Sequence, residues 1–194
     1  MQTANETLVS AYPVELPAGR RVHLKVGATV LAVTVYGVLV ACCSGPMTLA
    51  SFLNLTFYVF LMLNTFFSVS FTESTYHLRC FSDEVLNVPL AGFYLAFPWL
   101  TRDTFWFHLC MSLFFSVAMM KYANWLSRLD ANYFLRRKIL ANGFGCVLCG
   151  GGAAAMLLLQ RYELWALIGV IAFGYANVHT LWLDPLYRHT ARTR

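Results

Sequence analysis

Two cysteines with the spacing of a redox or zinc site, Cys146 and Cys149, lie within a long apolar stretch of the chain. Such a pair exchanges disulfides or binds metal when its thiols reach an aqueous or metal-loaded environment. These two lie about 7 to 10 residues inside the stretch, or roughly 10 to 15 Å along a helix. Cysteine is also a small residue that suits a tight helix contact. We therefore expect helix packing first and leave a redox role open.

The histidines could ligate haem or take part in catalysis, and their positions argue against haem. His108 and His179 fall in two apolar segments that would cross the membrane in the same direction, and their depths in the membrane would differ by roughly 15 Å. One haem cannot bridge that separation, so we expect no cofactor. His77 lies close to Asp83 and Glu84, but the three have no familiar metal-ligand spacing, and we expect no metal site there. A histidine within a membrane helix is still a candidate for function, so His108 and His77 are retained as alternatives.

The helix that must position the cysteine pair runs from Ile139 to Leu159 and is rich in small residues. Small residues recur every four positions in two adjacent rows: Ala141, Gly145, Cys149 and Ala153, and then Cys146, Gly150 and Ala154. Rows of this kind let helix backbones approach closely in lipid, where burial of apolar surface gives little driving force. We therefore predict an inner helix whose packing face includes both rows, with contacts either within the chain or to another subunit.

The composition places the chain among polytopic membrane proteins. Of its 194 residues, 59% are hydrophobic and only 12% are charged, against about a quarter in soluble domains. Six apolar segments account for most of the chain: 26–43, 47–71, 85–100, 104–125, 139–159 and 164–183. Most are near the roughly 20 residues that a crossing needs. The prediction is an all-α bundle of six transmembrane helices, with an N-terminal segment 1–25, a membrane domain 26–183 and a basic tail 184–194.

The distribution of basic residues predicts the orientation of these segments. With six crossings, twelve of the 14 Lys and Arg residues fall on the side of the N-terminus, and only Arg102 and Arg161 fall on the other. This bias is the positive-inside pattern, so both termini are expected on the cytosolic or matrix side. The weakest crossing is 85–100, which contains Pro89 and Pro98. If it only dipped into the membrane, the bias would become six against eight, so six crossings are favoured.

The net charge of +5 comes from residues that flank apolar segments, and we expect no nucleic-acid partner. The most basic loop, 127–138, includes Arg128, Arg136, Arg137 and Lys138. These side chains predict a contact with anionic phospholipid, cardiolipin being one candidate, or with an acidic partner.

Two hypotheses of function remain. The first is a non-catalytic subunit of a larger membrane assembly, of respiratory-chain or ATP-synthase type, which contributes helix packing and lipid contacts. Its location would be the mitochondrial inner membrane first and the endoplasmic reticulum second, since no secretory signal or usable glycosylation position is evident. The second is a small lipid-modifying enzyme or carrier that uses Asn64 with His108 or His77. This second hypothesis predicts a cavity lined by Asn54, Asn64, Thr65 and His108.

Overall fold

Apolar helices of this length form because every backbone hydrogen bond is satisfied within the segment, which is the requirement for crossing lipid. The structure is a computed structural model that describes residues 18–75, 81–128, 133–183 and 186. Across these residues the chain forms six α-helices: α1 (Ala18–Cys43), α2 (Leu49–Thr75), α3 (Phe81–Leu100), α4 (Thr104–Leu126), α5 (Tyr133–Leu159) and α6 (Tyr162–Val178). A π-helical turn, His179–Leu183, continues α6.

Five of the helices are long and apolar enough to span a membrane: α1, α2, α4, α5, and α6 with its π-helical turn. The predicted all-helical class is confirmed, and the fold is consistent with an integral membrane protein. Helix α3, which carries Pro89 and Pro98, is 20 residues long and is not among the five. Large apolar side chains point outward, with Leu158 83% exposed and Val147 73% exposed. Side chains of this kind suit contact with lipid.

Helices α4 and α5 form the closest pair in the bundle. They run antiparallel, since Met119 is next to Gly143, Phe115 next to Gly145 and His108 next to Gly152. Helix α2 crosses the middle of the bundle and contacts α1, α3, α4 and α6. An aromatic cluster fills the centre, where the rings of Phe57 on α2 and Phe173 on α6 stack at 4.5 Å. In lipid, such helices are held together mainly by close van der Waals packing, because burial of apolar surface gives little driving force there.

A tight connection joins α1 to α2. Gly45 has a φ of +123°, a conformation that side chains rarely adopt, so glycine is required at this turn. Arg102, in the turn between α3 and α4, donates to the carbonyl oxygens of Ala41 and Gly45. A cation at the carboxyl end of a helix also interacts favourably with the helix dipole. This contact fastens the end of α1 to the α3–α4 turn.

Three helices start well before the predicted apolar segments. Helix α1 begins at Ala18, eight residues before the predicted start at residue 26. Helix α5 begins at Tyr133, so Arg136, Arg137 and Lys138 belong to its first turns and not to a loop. Helix α3 begins at Phe81, so Asp83 is in a first turn, where acidic groups are favourable. The predicted apolar segments cover only the most hydrophobic part of each of these helices, and the polar first turns precede them.

Candidate functional site

The small-residue rows of α5 pack mainly within the chain. Gly145, Cys149 and Ala153 are buried, and a Cβ atom at Gly145 would lie 2.9 Å from the ring of Phe115 on α4. In the second row, a Cβ atom at Gly150 would lie 2.9 Å from the hydroxyl oxygen of Ser112. Gly145 and Gly150 therefore face α4 of the same chain.

Two further small residues of α5 lie on its opposite face. Gly151 and Ala154 are exposed, and a Cβ atom at Gly151 would meet nothing within 4 Å. Ala141, predicted to pack in the first row, is also exposed, because it lies one turn before Gly145 and beyond the covered part of that row. Bulky neighbours on this face include Val147 and Leu158. We call the exposed set Phe144, Val147, Gly151, Ala154 and Leu158 the outer face of α5.

Cys146 lies beside two serine hydroxyls of α4. Ser112 donates to the carbonyl oxygen of Cys146 at 3.0 Å, and the Cys146 sulfur lies 3.1 Å from the hydroxyl of Ser116. Cys149 is fully buried, and both cysteines are free thiols. These contacts of Cys146 join α5 to α4.

His108 is buried between α2, α4, α5 and α6. Its Nδ1 lies 2.9 Å from the carbonyl oxygen of Thr104, and its Nε2 has no hydrogen-bond partner within the described part of the chain. Its ring packs against Phe57 and Phe107, and it faces Gly152 and Gly169. His77 lies outside the described residues.

The predicted cavity of Asn54, Asn64, Thr65 and His108 does not form as expected. Asn54 is buried and donates to the Thr101 carbonyl oxygen at 2.9 Å and to the Thr104 hydroxyl at 3.1 Å, so it joins α2 to the α3–α4 turn. Neither Asn54 nor His108 lines the cavity that contains Asn64 and Thr65. The predicted lining was wrong because it combined polar residues that lie at different heights along the helices.

Asn64 and Thr65 instead line a cavity of about 190 Å³ between α2, α3, α4 and α5. Its polar lining also includes two lysines, Lys121 on α4 and Lys138 on α5, together with Asn142. We call this space the two-lysine cavity. It has room for several water molecules, which occupy about 30 Å³ each in the liquid.

Lys138 reaches the cavity from the first turns of α5 and is only 5% exposed. Its Nζ lies 3.5 Å from Oδ1 of Asn64 and 5.9 Å from the centre of the Tyr122 ring. The Tyr122 hydroxyl in turn lies 2.7 Å from the hydroxyl of Ser68. We expected Lys138 on the surface beside Arg136 and Arg137, but the structure buries it. The reason is helical periodicity, which places Lys138 on the same face as the buried Phe134 and Asn142.

Lys121 reaches the cavity from the last turns of α4 and is half-buried. Its Nζ donates to Oδ1 of Asn87 on α3 at 2.7 Å and lies 5.1 Å from the centre of the Trp125 ring. The buried Asp83 of α3 accepts from Asn124 at 3.4 Å, close to the same end of the bundle. The structure thus places Lys121 on the wall of the two-lysine cavity.

Asn142 completes the polar lining. It is only 6% exposed, and its Nδ2 has no hydrogen-bond partner among the residues that the structure describes. A buried amide donor without a partner costs about 1 to 3 kcal/mol. An acceptor inside the cavity, such as a water oxygen, would satisfy this amide.

The convergence of the two lysines follows from their positions in antiparallel neighbours. Lys121 lies five residues before the end of α4 at Leu126, and Lys138 lies five residues after the start of α5 at Tyr133. Each is therefore about 7.5 Å from the same end of the helix pair. Sequence reasoning missed this symmetry because it placed the start of α5 at Ile139.

The other predicted basic contacts lie at the surface. Arg128 and Arg136 are exposed, and Arg137 is half-buried with its guanidinium 5.4 Å from the centre of the Tyr133 ring. Within the described ranges, no group of three His, Cys, Asp or Glu side chains could hold a metal ion. The nitrogen donors that line the two-lysine cavity include the amines of Lys121 and Lys138 and the amide of Asn142.

Comparison with protein-family models, curated proteins and solved structures gives no match. The fold and the site define an all-helical protein with five helices suited to membrane spans and a cavity near one end that is lined by two lysines.

Proposed function

We propose that this chain is a non-catalytic integral subunit of a larger membrane assembly, to which it contributes helix packing and lipid contacts. We propose the mitochondrial inner membrane as its location, with the endoplasmic reticulum as the second candidate. The proposal includes six crossings and both termini on the basic side. Helix α3 supports the sixth crossing by its length, since 20 residues extend about 30 Å, the thickness of the hydrocarbon core.

The outer face of α5 is the observation that carries this proposal. Gly151 and Ala154 form a shallow track on that face, with Val147 and Leu158 beside it, and α4 covers the opposite face of the same helix. A second helix could approach the backbone of α5 closely along this track, which is how membrane helices of different subunits associate. The partner contact is therefore proposed for Gly151 and Ala154 and not for the buried Gly145 row.

The experiment compares Gly151→Leu with Gly92→Leu in the native membrane. Both glycines lie on exposed helix faces with nothing within 4 Å of an added Cβ atom, so both variants should fold. Mild detergent extraction followed by native electrophoresis then reports the size of the particle that carries the chain. We expect Gly151→Leu to leave the large particle and Gly92→Leu to remain in it. Retention of both variants would contradict the proposed contact.

A lipid carrier or lipid-modifying enzyme is the second candidate, and the two-lysine cavity favours it. Asn64, which this hypothesis named, lies 3.5 Å from Lys138 at the cavity wall. His108 does not line the cavity, so any carrier function would depend on Asn64 and the lysines. Recovery of the wild-type chain only as a lone monomer or dimer would favour this candidate over the subunit.

A further inference from the structure

A second, smaller cavity lies between α5 and α6. Its volume is about 40 Å³, and most of its lining comes from these two helices, with Phe57, Asn64 and Phe115 contributed by α2 and α4. A water molecule occupies about 30 Å³ in the liquid, so the cavity has room for one. We call this space the α5–α6 cavity.

One asparagine from each helix lines this cavity. Asn142 belongs to α5 and Asn177 to α6, and each is only 6% exposed. The Asn177 Nδ2 donates to the carbonyl oxygen of Phe173 at 3.0 Å, which leaves Oδ1 as the atom available to the cavity. Within the described ranges, neither Oδ1 of Asn177 nor Nδ2 of Asn142 has a hydrogen-bond partner. The cavity therefore has an available donor on α5 and an available acceptor on α6.

These two amide atoms require a small group that both accepts and donates. Burial without a partner is unfavourable, because each atom loses the hydrogen bonds that it makes with water in the unfolded chain. The Thr180 hydroxyl, which also lines the cavity, already donates to the carbonyl oxygen of Ala176 at 2.8 Å. A water molecule fits the available space, accepts from an amide nitrogen and donates to an amide oxygen.

The two-lysine cavity gives water a route to this position. The two cavities share four lining residues, Asn64, Phe115, Lys138 and Asn142, so they are direct neighbours. The two-lysine cavity has room for several water molecules and lies near one end of the bundle. Water in the α5–α6 cavity can therefore exchange with water in the larger cavity.

We propose that one water molecule is bound in the α5–α6 cavity, where it accepts a hydrogen bond from Asn142 and donates one to Asn177. This bridge joins α6 to α5, and a bridge of this kind is nearly as favourable in enthalpy as a direct hydrogen bond. It goes beyond the proposed function, because it lies inside the chain and holds whether or not the chain enters an assembly.

The first test is a crystal structure of the full chain, grown from a lipid phase, at a resolution that shows ordered water. We expect an isolated density peak within about 3.2 Å of both Nδ2 of Asn142 and Oδ1 of Asn177. The same peak should be missing from Asn177→Leu, since a buried water needs at least two polar partners. A direct hydrogen bond between the two amides, an empty cavity, or continuous density from a lipid or detergent would each overturn the proposal.

The second test is a double-mutant cycle, measured by reversible unfolding in mixed micelles. Leucine has nearly the size of asparagine but no polar side-chain atom, so Asn142→Leu should release the water and leave Asn177 unsatisfied. We expect each single variant to lower the folding equilibrium constant about tenfold. The double variant Asn142→Leu with Asn177→Leu should lose no more than about tenfold, because no unsatisfied partner remains. Independent effects would instead multiply to about a hundredfold, and that result would overturn the bridge.

The matched control combines Asn142→Leu with Asn54→Leu. Asn54 is also buried, but it donates to Thr101 and Thr104 and lines neither cavity. The effects of this pair should therefore multiply. Coupling as strong as that between Asn142 and Asn177 would show that the cycle reports a general change in the bundle, which would overturn the assignment to a shared water.

Discussion

The surroundings of two glycines, Gly145 and Gly151, show which face of α5 is covered by a neighbouring helix. The ring of Phe115 is buried and leaves no space at Gly145, whereas Gly151, six residues later, faces open space. The spacing of small residues predicted that α5 packs tightly, but it could not say which glycines face a neighbour. Which glycines face a neighbour depends on the rotation of α5 about its axis and on the side chains of α4. The sequence of α5 alone contains neither.

At the residue scale, Gly145→Ala should lower stability, whereas Gly151→Ala should not. The methyl group at Gly145 must displace Phe115, so we expect the free energy of unfolding to fall by about 1 to 3 kcal/mol. At Gly151 the methyl group meets nothing, and the higher helix propensity of alanine should leave stability unchanged or raise it by up to about 1 kcal/mol. Reversible unfolding in mixed micelles measures both. Similar losses in the two variants would contradict the α4–α5 register.

At the scale of elements, α1 is held to the bundle mainly at its middle and its end. The Tyr58 hydroxyl of α2 donates to the carbonyl oxygen of Val33 at 2.9 Å, and the ring lies against Gly37. The Trp99 indole donates to the Tyr36 hydroxyl at 3.1 Å. The hydropathy of α1 predicted a crossing helix, but these contacts could not be predicted, because they depend on which neighbour lies beside it.

Gly37→Ala should loosen α1. An added Cβ atom would lie 2.6 Å from the hydroxyl oxygen of Tyr58, so the ring must move and its hydrogen bond to Val33 must weaken. We expect a loss of about 1 to 3 kcal/mol in the free energy of unfolding in micelles. Gly27→Ala is the matched control on the same helix, because its Cβ atom would meet Phe66 at an ordinary 3.4 Å. An equal effect of the two variants would show that Tyr58 does not hold α1.

Helix ends explain what sequence reasoning missed at the candidate site. The small residues and the apolar segments predicted the helical class and the tight helix, because both signals are local. The two-lysine cavity required the start of α5 at Tyr133, which lies outside the apolar segment. Once that start is known, the equal distances of Lys121 and Lys138 from the ends of antiparallel helices bring them together.

At the scale of the whole molecule, the number of crossings determines where the termini lie. Six crossings place both termini on the same side, whereas the five longest apolar helices alone would place them on opposite sides. We expect a protease added to membrane vesicles to digest tags at residues 1 and 194 together when the basic side faces outward. In vesicles of the opposite orientation both tags should be protected. Protection of only one tag would exclude α3 as a crossing.

The central claim is that the chain works inside a larger assembly, and the mass of its native particle tests that claim most directly. The wild-type chain should be extracted from its own membrane in mild detergent and separated by native electrophoresis, with its co-migrating proteins identified. The account predicts a stoichiometric particle many times heavier than the 21.9 kDa chain. A lone monomer or dimer in its detergent micelle would contradict it.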